Sequence, residues 1–302
     1  MPLYVPLQDL VVGAGRRLVT LRSCKDAAGS PASAAAPPPA PLAELDLVEM
    51  RNVFKAEEVK ALIWCSPHNP IGRVWSWDEQ VAVAELCKEH GVMIISDEIH
   101  ADLTLWGLKH SPMALCCSAV GYEAGVVTTS SPGKTWNLAG LHCGFVVISD
   151  AEKRAQYLAV VEHAYLHFGS AFATAGMTAA YQHGEQWLGR LLQFIQSNVI
   201  EVEEFIASNV PEIKVHRPQA SFLVWMDCSG LGFDSITNGS RSELCLFMEE
   251  KARLKLSDGF GFGGAPTSHF QRMNVGCSKE VLREGLSRLA SAVAVHRRQA
   301  TV

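Results

Sequence analysis

The chain has 302 residues, 48% hydrophobic and 19% charged, enough length and apolar content to bury one large core or two medium ones. A formal net charge of −5 argues against nucleic acid or an anionic membrane as the main partner. The nine cysteines are scattered without a C-x-x-C pair, and no run resembles a membrane span or a secretory signal. A reducing cytoplasm is therefore the expected compartment, and no metal site is predicted.

In chain order, residues 1–22 predict a short helix, a glycine stop around Gly13–Gly15 and a strand over Leu18–Leu21. Residues 23–44 are rich in Ala, Pro, Ser and Gly, a composition that builds no core, and they read as a mobile surface insertion. A helical approach over 46–60 follows. Val59–Cys65 is then a continuous apolar run, as in a parallel strand covered on both faces, and it ends at Ser66-Pro67-His68-Asn69-Pro70. Ser76 and Glu79 have capping-box spacing. Val83, Leu86, Cys87 and His90 mark one face of the helix they open, which Gly91 stops. Val92–Ile95 is the next buried strand, completing a right-handed βαβ unit.

The chain reads as irregular from Asp97 to about residue 124. Two further strands, Val126–Thr129 and Phe145–Ile148, bracket Lys134 on a Pro-Gly turn. Beyond residue 150 the pattern turns helical. It holds a long amphipathic stretch over 186–208, a strand over 221–226, and helices over 241–254 and 279–296. The predicted fold class is α/β. A large domain over 1–150 carries a three-layer, mostly parallel sheet, and a smaller α+β domain covers 151–302.

Asn69, Asp97 and Lys134 each end a predicted strand on its carboxyl side, the edge where ligands lie in open α/β sheets. Singly, each has an ordinary explanation. Asparagine before proline makes turns, aspartate after a strand caps the next element, and lysine on a turn points to solvent. Together they supply an amide, a carboxylate and an amine. A lysine withdrawn from water can act as an amine nucleophile toward a carbonyl. A pyridine cofactor with an aldehyde needs all three, the carboxylate holding the ring nitrogen protonated as an electron sink.

The segments S-P-H-N-P-I-G-R-V-W (66–75), S-D-E-I-H-A-D-L (96–103) and S-S-P-G-K-T-W-N-L-A-G-L (130–141) resemble the fold-type I pyridoxal 5′-phosphate enzymes. Within the class I/II aminotransferase superfamily they look most like the cystathionine β-lyase/cystalysin branch. F-Q-R-M-N-V-G-C-S (270–278) resembles that family's carboxylate-binding segment. The resemblance implies that Lys134 bonds the cofactor aldehyde and moves the substrate Cα proton. It places Asp97 on the ring nitrogen, Asn69 on the 3′-oxygen, Tyr4 stacked on the ring and Ser131 on the phosphate. Arg272 would clamp the substrate α-carboxylate through its planar fork. His100 stands where aminotransferases resemble D-x-x-Y, and D-E-I-H is similar to the carbon–sulfur lyases.

Two departures accompany the resemblance. The family carries roughly a hundred further residues before the position of Tyr4, including a phosphate-binding helix start and a tyrosine lent by the partner subunit. Gly133 also stands where the family has a serine. The 302 residues alone are therefore expected to bind cofactor weakly and to dimerise poorly, forming a homodimer when the preceding part is present. Three functions stay open. The first is a carbon–sulfur β-lyase releasing pyruvate, ammonia and a thiol from an amino-acid substrate, and the second a class I/II aminotransferase. The third is a fold relative with a binding role only.

Overall fold

Two four-stranded sheets organise the chain, in a computed structural model that describes residues 2–21, 44–166, 169–233, 236–237 and 241–300. The first half holds α1 (Val5–Gly13), α2 (Leu47–Ala56), β1 (Ala61–Cys65), α3 (Trp77–His90), β2 (Met93–Asp97), α4 (Met113–Ala119), β3 (Val126–Ser130), α5 (Pro132–Thr135) and β4 (Phe145–Ile148). The second begins with α6 (Ala151–His163), α7 (Ala171–His183), α8 (Glu185–Asn209), β5 (Lys214–His216) and β6 (Leu223–Asp227). A two-residue pair, β7 (Ile236–Thr237) and β8 (Arg241–Ser242), leads to α9 (Glu243–Glu250), β9 (Ser257–Asp258), α10 (Phe260–Gly263), β10 (Phe270–Asn274) and α11 (Lys279–Ala300).

The first sheet has the order β1-β2-β3-β4, parallel through the first three strands and antiparallel at β4. Its crossover helix α3 begins as the sequence predicts. Ser76 Oγ accepts the Glu79 N–H at 3.2 Å while Glu79 Oε2 accepts the Ser76 N–H at 2.8 Å. Gly91 ends it in the left-handed region at φ 63°. Leu62, Trp64, Ile94 and Val126 pack with Phe54 of α2, Val83 and Cys87 of α3, and Cys117 of α4. On the opposite face Ile63, Ile95 and Val127 are only half-buried. The continuous apolar run of β1 predicts cover on both sides; the described residues bury one.

The second sheet, β5-β6-β10-β9, is antiparallel at the pairings β5–β6, β6–β10 and β10–β9. Ile195, Val199, Val202 and Ile206 of α8 form one stripe against it, each fully buried residue worth about 1.5–3 kcal/mol. Leu103 and Leu105, from the first half of the chain, join this second core.

Three local readings change. Residues 18–21 form no strand. The stretch read as irregular up to residue 124 contains α4, which Pro112 opens. Lys134 lies on the short helix α5, not on a turn. The insertion read over 23–44 lies outside the described residues except for Glu44. The described cysteines, all those in the chain except Cys24, are free thiols. No helix among the described residues is long and apolar enough to cross a membrane.

Candidate active site

Parallel register brings the three strand ends level. Cys65 of β1 lies opposite Asp97 of β2, which lies opposite Thr129 of β3. The loop after β1 is tied back by Ser66 N–H to Asp97 O at 3.0 Å, then closed by His68 N–H to Arg73 O and Gly72 N–H to His68 O. Gly72 sits at φ 67°, and a Cβ there would lie 2.6 Å from Pro218 Cβ, so only glycine fits. This closed loop presents Asn69 at the sheet edge, 8% exposed.

Asn69 Oδ1 accepts a hydrogen bond from Arg272 Nη1 at 2.8 Å. Arg272 Nη2 donates to Ser257 Oγ at 2.9 Å, and the guanidinium lies 4.8 Å over the Phe262 ring. Burial draws Arg272 below its ordinary pKa, against the opposing influence of Tyr4. Tyr4 reaches this neighbourhood because the N-terminal segment is pinned. Leu3 N–H donates to Phe262 O at 3.0 Å, and His68 Nε2–H donates to Pro2 O at 2.7 Å.

Asp97 accepts the Ile99 N–H at Oδ1, 3.2 Å, and its second oxygen has no partner among the described residues. Burial raises its carboxyl above the ordinary range. The Ile99 N–H opposes this, the Glu98 charge adds to it, and the Lys134 charge opposes it. His100 is 2% exposed, packs edge-on to Phe222 and has Nδ1 buried without a partner among the described residues. Burial, then Lys134 and Arg272, push its imidazole down to about 3, so it is neutral. Lys134 is half-buried and makes no hydrogen bond or ion pair among the described residues. Thus Lys134, Asp97, His100, Asn69, Arg272 and Tyr4 lie within electrostatic or hydrogen-bond reach of one another in a chain of neighbours.

Ser131 is engaged otherwise. Its hydroxyl donates to Cys143 O at 2.6 Å and accepts the Gly133 N–H at 2.9 Å, capping α5. Gly133 is confined too, since a Cβ there would stand 3.0 Å from Ser131 Oγ and 3.3 Å from Ala139 Cα. Ser257 and Phe262 carry Arg272 and have no signal in the sequence. Ser257 is the register partner of Arg272 across β9 and β10, a relation that only the sheet creates.

Residues 29–289 match the family model "Aminotransferase class I and II". The chain belongs to the class I and II aminotransferase family. Among curated relatives, it is 37% identical over 249 residues to cystathionine beta-lyase PatB of Bacillus subtilis, covering 82% of this chain and 62% of that protein. The chain thus spans somewhat less than two thirds of that relative's length. Among solved structures, it is similar to cystalysin from Treponema denticola, which contains a pyridoxal 5′-phosphate cofactor. The TM-score is 0.81 at 26% identity, over 97% of this chain and 69% of that one. It is also similar to the PLP-bound C-S lyase of Staphylococcus hominis, with a TM-score of 0.73 at 28% identity over 83% of this chain and 63% of that one. The fold is the α/β fold of these enzymes, with a mostly parallel sheet.

Proposed function

We propose that this chain is the catalytic part of a pyridoxal 5′-phosphate-dependent carbon–sulfur β-lyase, cleaving cystathionine or a related cysteine conjugate to pyruvate, ammonia and a thiol. The observation that carries this reading is the Lys134 amine, unpartnered among the described residues, set beside the Asp97 carboxylate and the neutral, buried His100. The site fits the cofactor in its own unmet polar groups. Among the described residues, one Asp97 oxygen, Asn69 Nδ2 and His100 Nδ1 have no partner. Bound pyridoxal phosphate supplies an aldehyde that captures the substrate amine and a conjugated ring that stores the electron pair left on Cα.

The protein's own groups divide the remaining work. Lys134 Nζ would hold the cofactor covalently and then take the proton from the substrate Cα. Asp97 would accept the ring N–H and keep it protonated. Asn69, its Oδ1 already occupied by Arg272, would offer Nδ2 as the donor for the 3′-oxygen. Arg272 has donors left beyond those given to Asn69 and Ser257, enough to grip the substrate α-carboxylate. Tyr4 would cover the ring, and Ser131 would join the phosphate by redirecting its hydroxyl proton from Cys143.

A division near residue 150 into a cofactor domain and a smaller substrate-carboxylate domain belongs to the same reading, supported by the two sheets and their separate cores. So does a homodimer in the cytoplasm. Phe172 (81% exposed) and Tyr165 (74% exposed) near α6 and α7 support self-association, and the free thiols support a reducing compartment. The test is incubation with cystathionine and pyridoxal phosphate in the absence of any 2-oxo acid. Pyruvate release is expected. Amino transfer that appears only when an oxo acid is added would establish the aminotransferase instead, and no turnover with bound cofactor would leave a binding role.

A further inference from the structure

Glu98 lies next to Asp97 but faces the other way. It is 5% exposed, a depth at which a carboxylate needs full compensation. Its Oε1 accepts from Ser96 Oγ at 2.9 Å and from the Met113 N–H at 3.0 Å, and its Oε2 accepts the His110 Nε2–H at 2.8 Å. The backbone is held as firmly. Its N–H donates to Thr129 O at 2.9 Å, and its C=O accepts from Ala101 N–H at 2.9 Å and Ser130 Oγ at 3.2 Å. Glu98 therefore ties the end of β2 to the end of β3, to the start of α4 and to the loop before it. The turn so pinned is the one that carries Asp97 and His100.

We propose that Glu98 is the positioning residue for Asp97: anchored to Ser96, Met113 and His110 behind the sheet, it fixes the direction in which Asp97 meets the cofactor ring nitrogen. The inference rests on the pyridoxal phosphate reading above and adds a residue to it. Successive residues at a strand end point to opposite sides, so the anchor and the functional carboxylate can be rigidly coupled without competing for space. A site built this way holds its reacting group through neighbours whose own geometry is locked. His110 completes the anchor. With Nε2–H given to Glu98, its Nδ1 is buried and unpartnered among the described residues, so the imidazole serves this one contact.

The test separates positioning of Asp97 from general support of the fold. The 302-residue chain is titrated, by tryptophan fluorescence, with pyridoxal 5′-phosphate and with its carbocyclic analogue in which C–H replaces the ring nitrogen. Glu98→Ala should raise the Kd for pyridoxal phosphate about tenfold, the scale of a misaligned charge-assisted hydrogen bond, and leave the analogue within about twofold. Glu98→Gln should stay within about threefold for both, since its oxygen still accepts from Ser96 and Met113 and a tautomer shift lets His110 accept its amide. His110→Leu, a milder cut of the same anchor, should weaken pyridoxal phosphate selectively and keeps the test alive if Glu98→Ala does not fold. Equal loss for both ligands in either weakened variant, or no loss of pyridoxal phosphate affinity in a folded Glu98→Ala chain, would overturn the inference. A wild-type chain that binds neither ligand would overturn the cofactor reading itself, and the inference with it.

Discussion

Arg272, on the strand β10, donates from Nη1 to Asn69 Oδ1 across 2.8 Å, joining the second sheet to the loop that leaves the first. One contact thus sets two things: the amide's free end is turned to donate, and the guanidinium is held where its remaining donors form a fork. Arg272→Lys would keep the charge and lose the fork. It should raise KM for the amino-acid substrate about ten- to a hundredfold, roughly the 1.5–3 kcal/mol of a charge-assisted hydrogen bond, with a smaller effect on kcat. Steady-state kinetics with an unchanged KM would remove Arg272 from the site.

Asp97 and Asn69 make unequal demands. Asp97→Asn should cost about a hundredfold or more in turnover, because a neutral amide cannot hold the ring proton, whereas Asn69→Ala should cost about tenfold. Equal, mild losses would contradict the placement of the ring.

The same aspartate has the opposite effect on stability. Burial is the main influence raising its carboxyl, so between the unfolded and folded values the folded chain binds more proton than the unfolded one. Its ionisation then costs stability above that window. The cofactor-free Asp97→Asn chain should melt at a higher temperature than wild type at neutral pH, and the gap should close as the pH falls below the ordinary carboxylate range. Thermal scans at neutral and acidic pH check this, and a lower Tm for Asp97→Asn at neutral pH would contradict it.

His68 gives an acid-side prediction. Burial pushes its imidazole down to about 4, against an ordinary value of 6.5, so between these the unfolded chain binds the proton and the folded chain does not. Stability therefore rises with pH across that window and is lost as pH falls through it, by about 3 kcal/mol from this residue. His68→Gln keeps a donor for Pro2 O without titrating, and urea denaturation from pH 6.5 down to about 4 should show a shallower loss than wild type. Parallel curves would show that His68 is not buried neutral. His100, pushed down to about 3, adds a slope of the same sign that continues to lower pH.

What the sequence revealed was local. The capping box at Ser76 and Glu79, the left-handed stop at Gly91 and the strand end carrying Asp97 are set by neighbours in the chain. What it hid depends on distant partners. Helix α4 is 7 residues long, too short for a repeating pattern to show in the sequence, and is fixed by packing Met113, Cys116 and Cys117 into the first core. Ser257 supports Arg272 only through strand register. Leu18–Leu21 has the composition of a strand but takes no strand conformation. The use of Ser131 as a helix cap follows from Pro132 and Gly133 beginning α5, which a Pro-Gly turn reading overlooks.

The central claim is that the Lys134 amine is the covalent anchor of the cofactor. The chain is incubated with pyridoxal 5′-phosphate, reduced with borohydride, digested and sequenced by mass spectrometry. The account predicts a stable phosphopyridoxyl group on Lys134 and on no other lysine, lost in Lys134→Ala together with the visible absorption of the bound cofactor. A label at another lysine, or none on a chain that has demonstrably bound the cofactor, would contradict it.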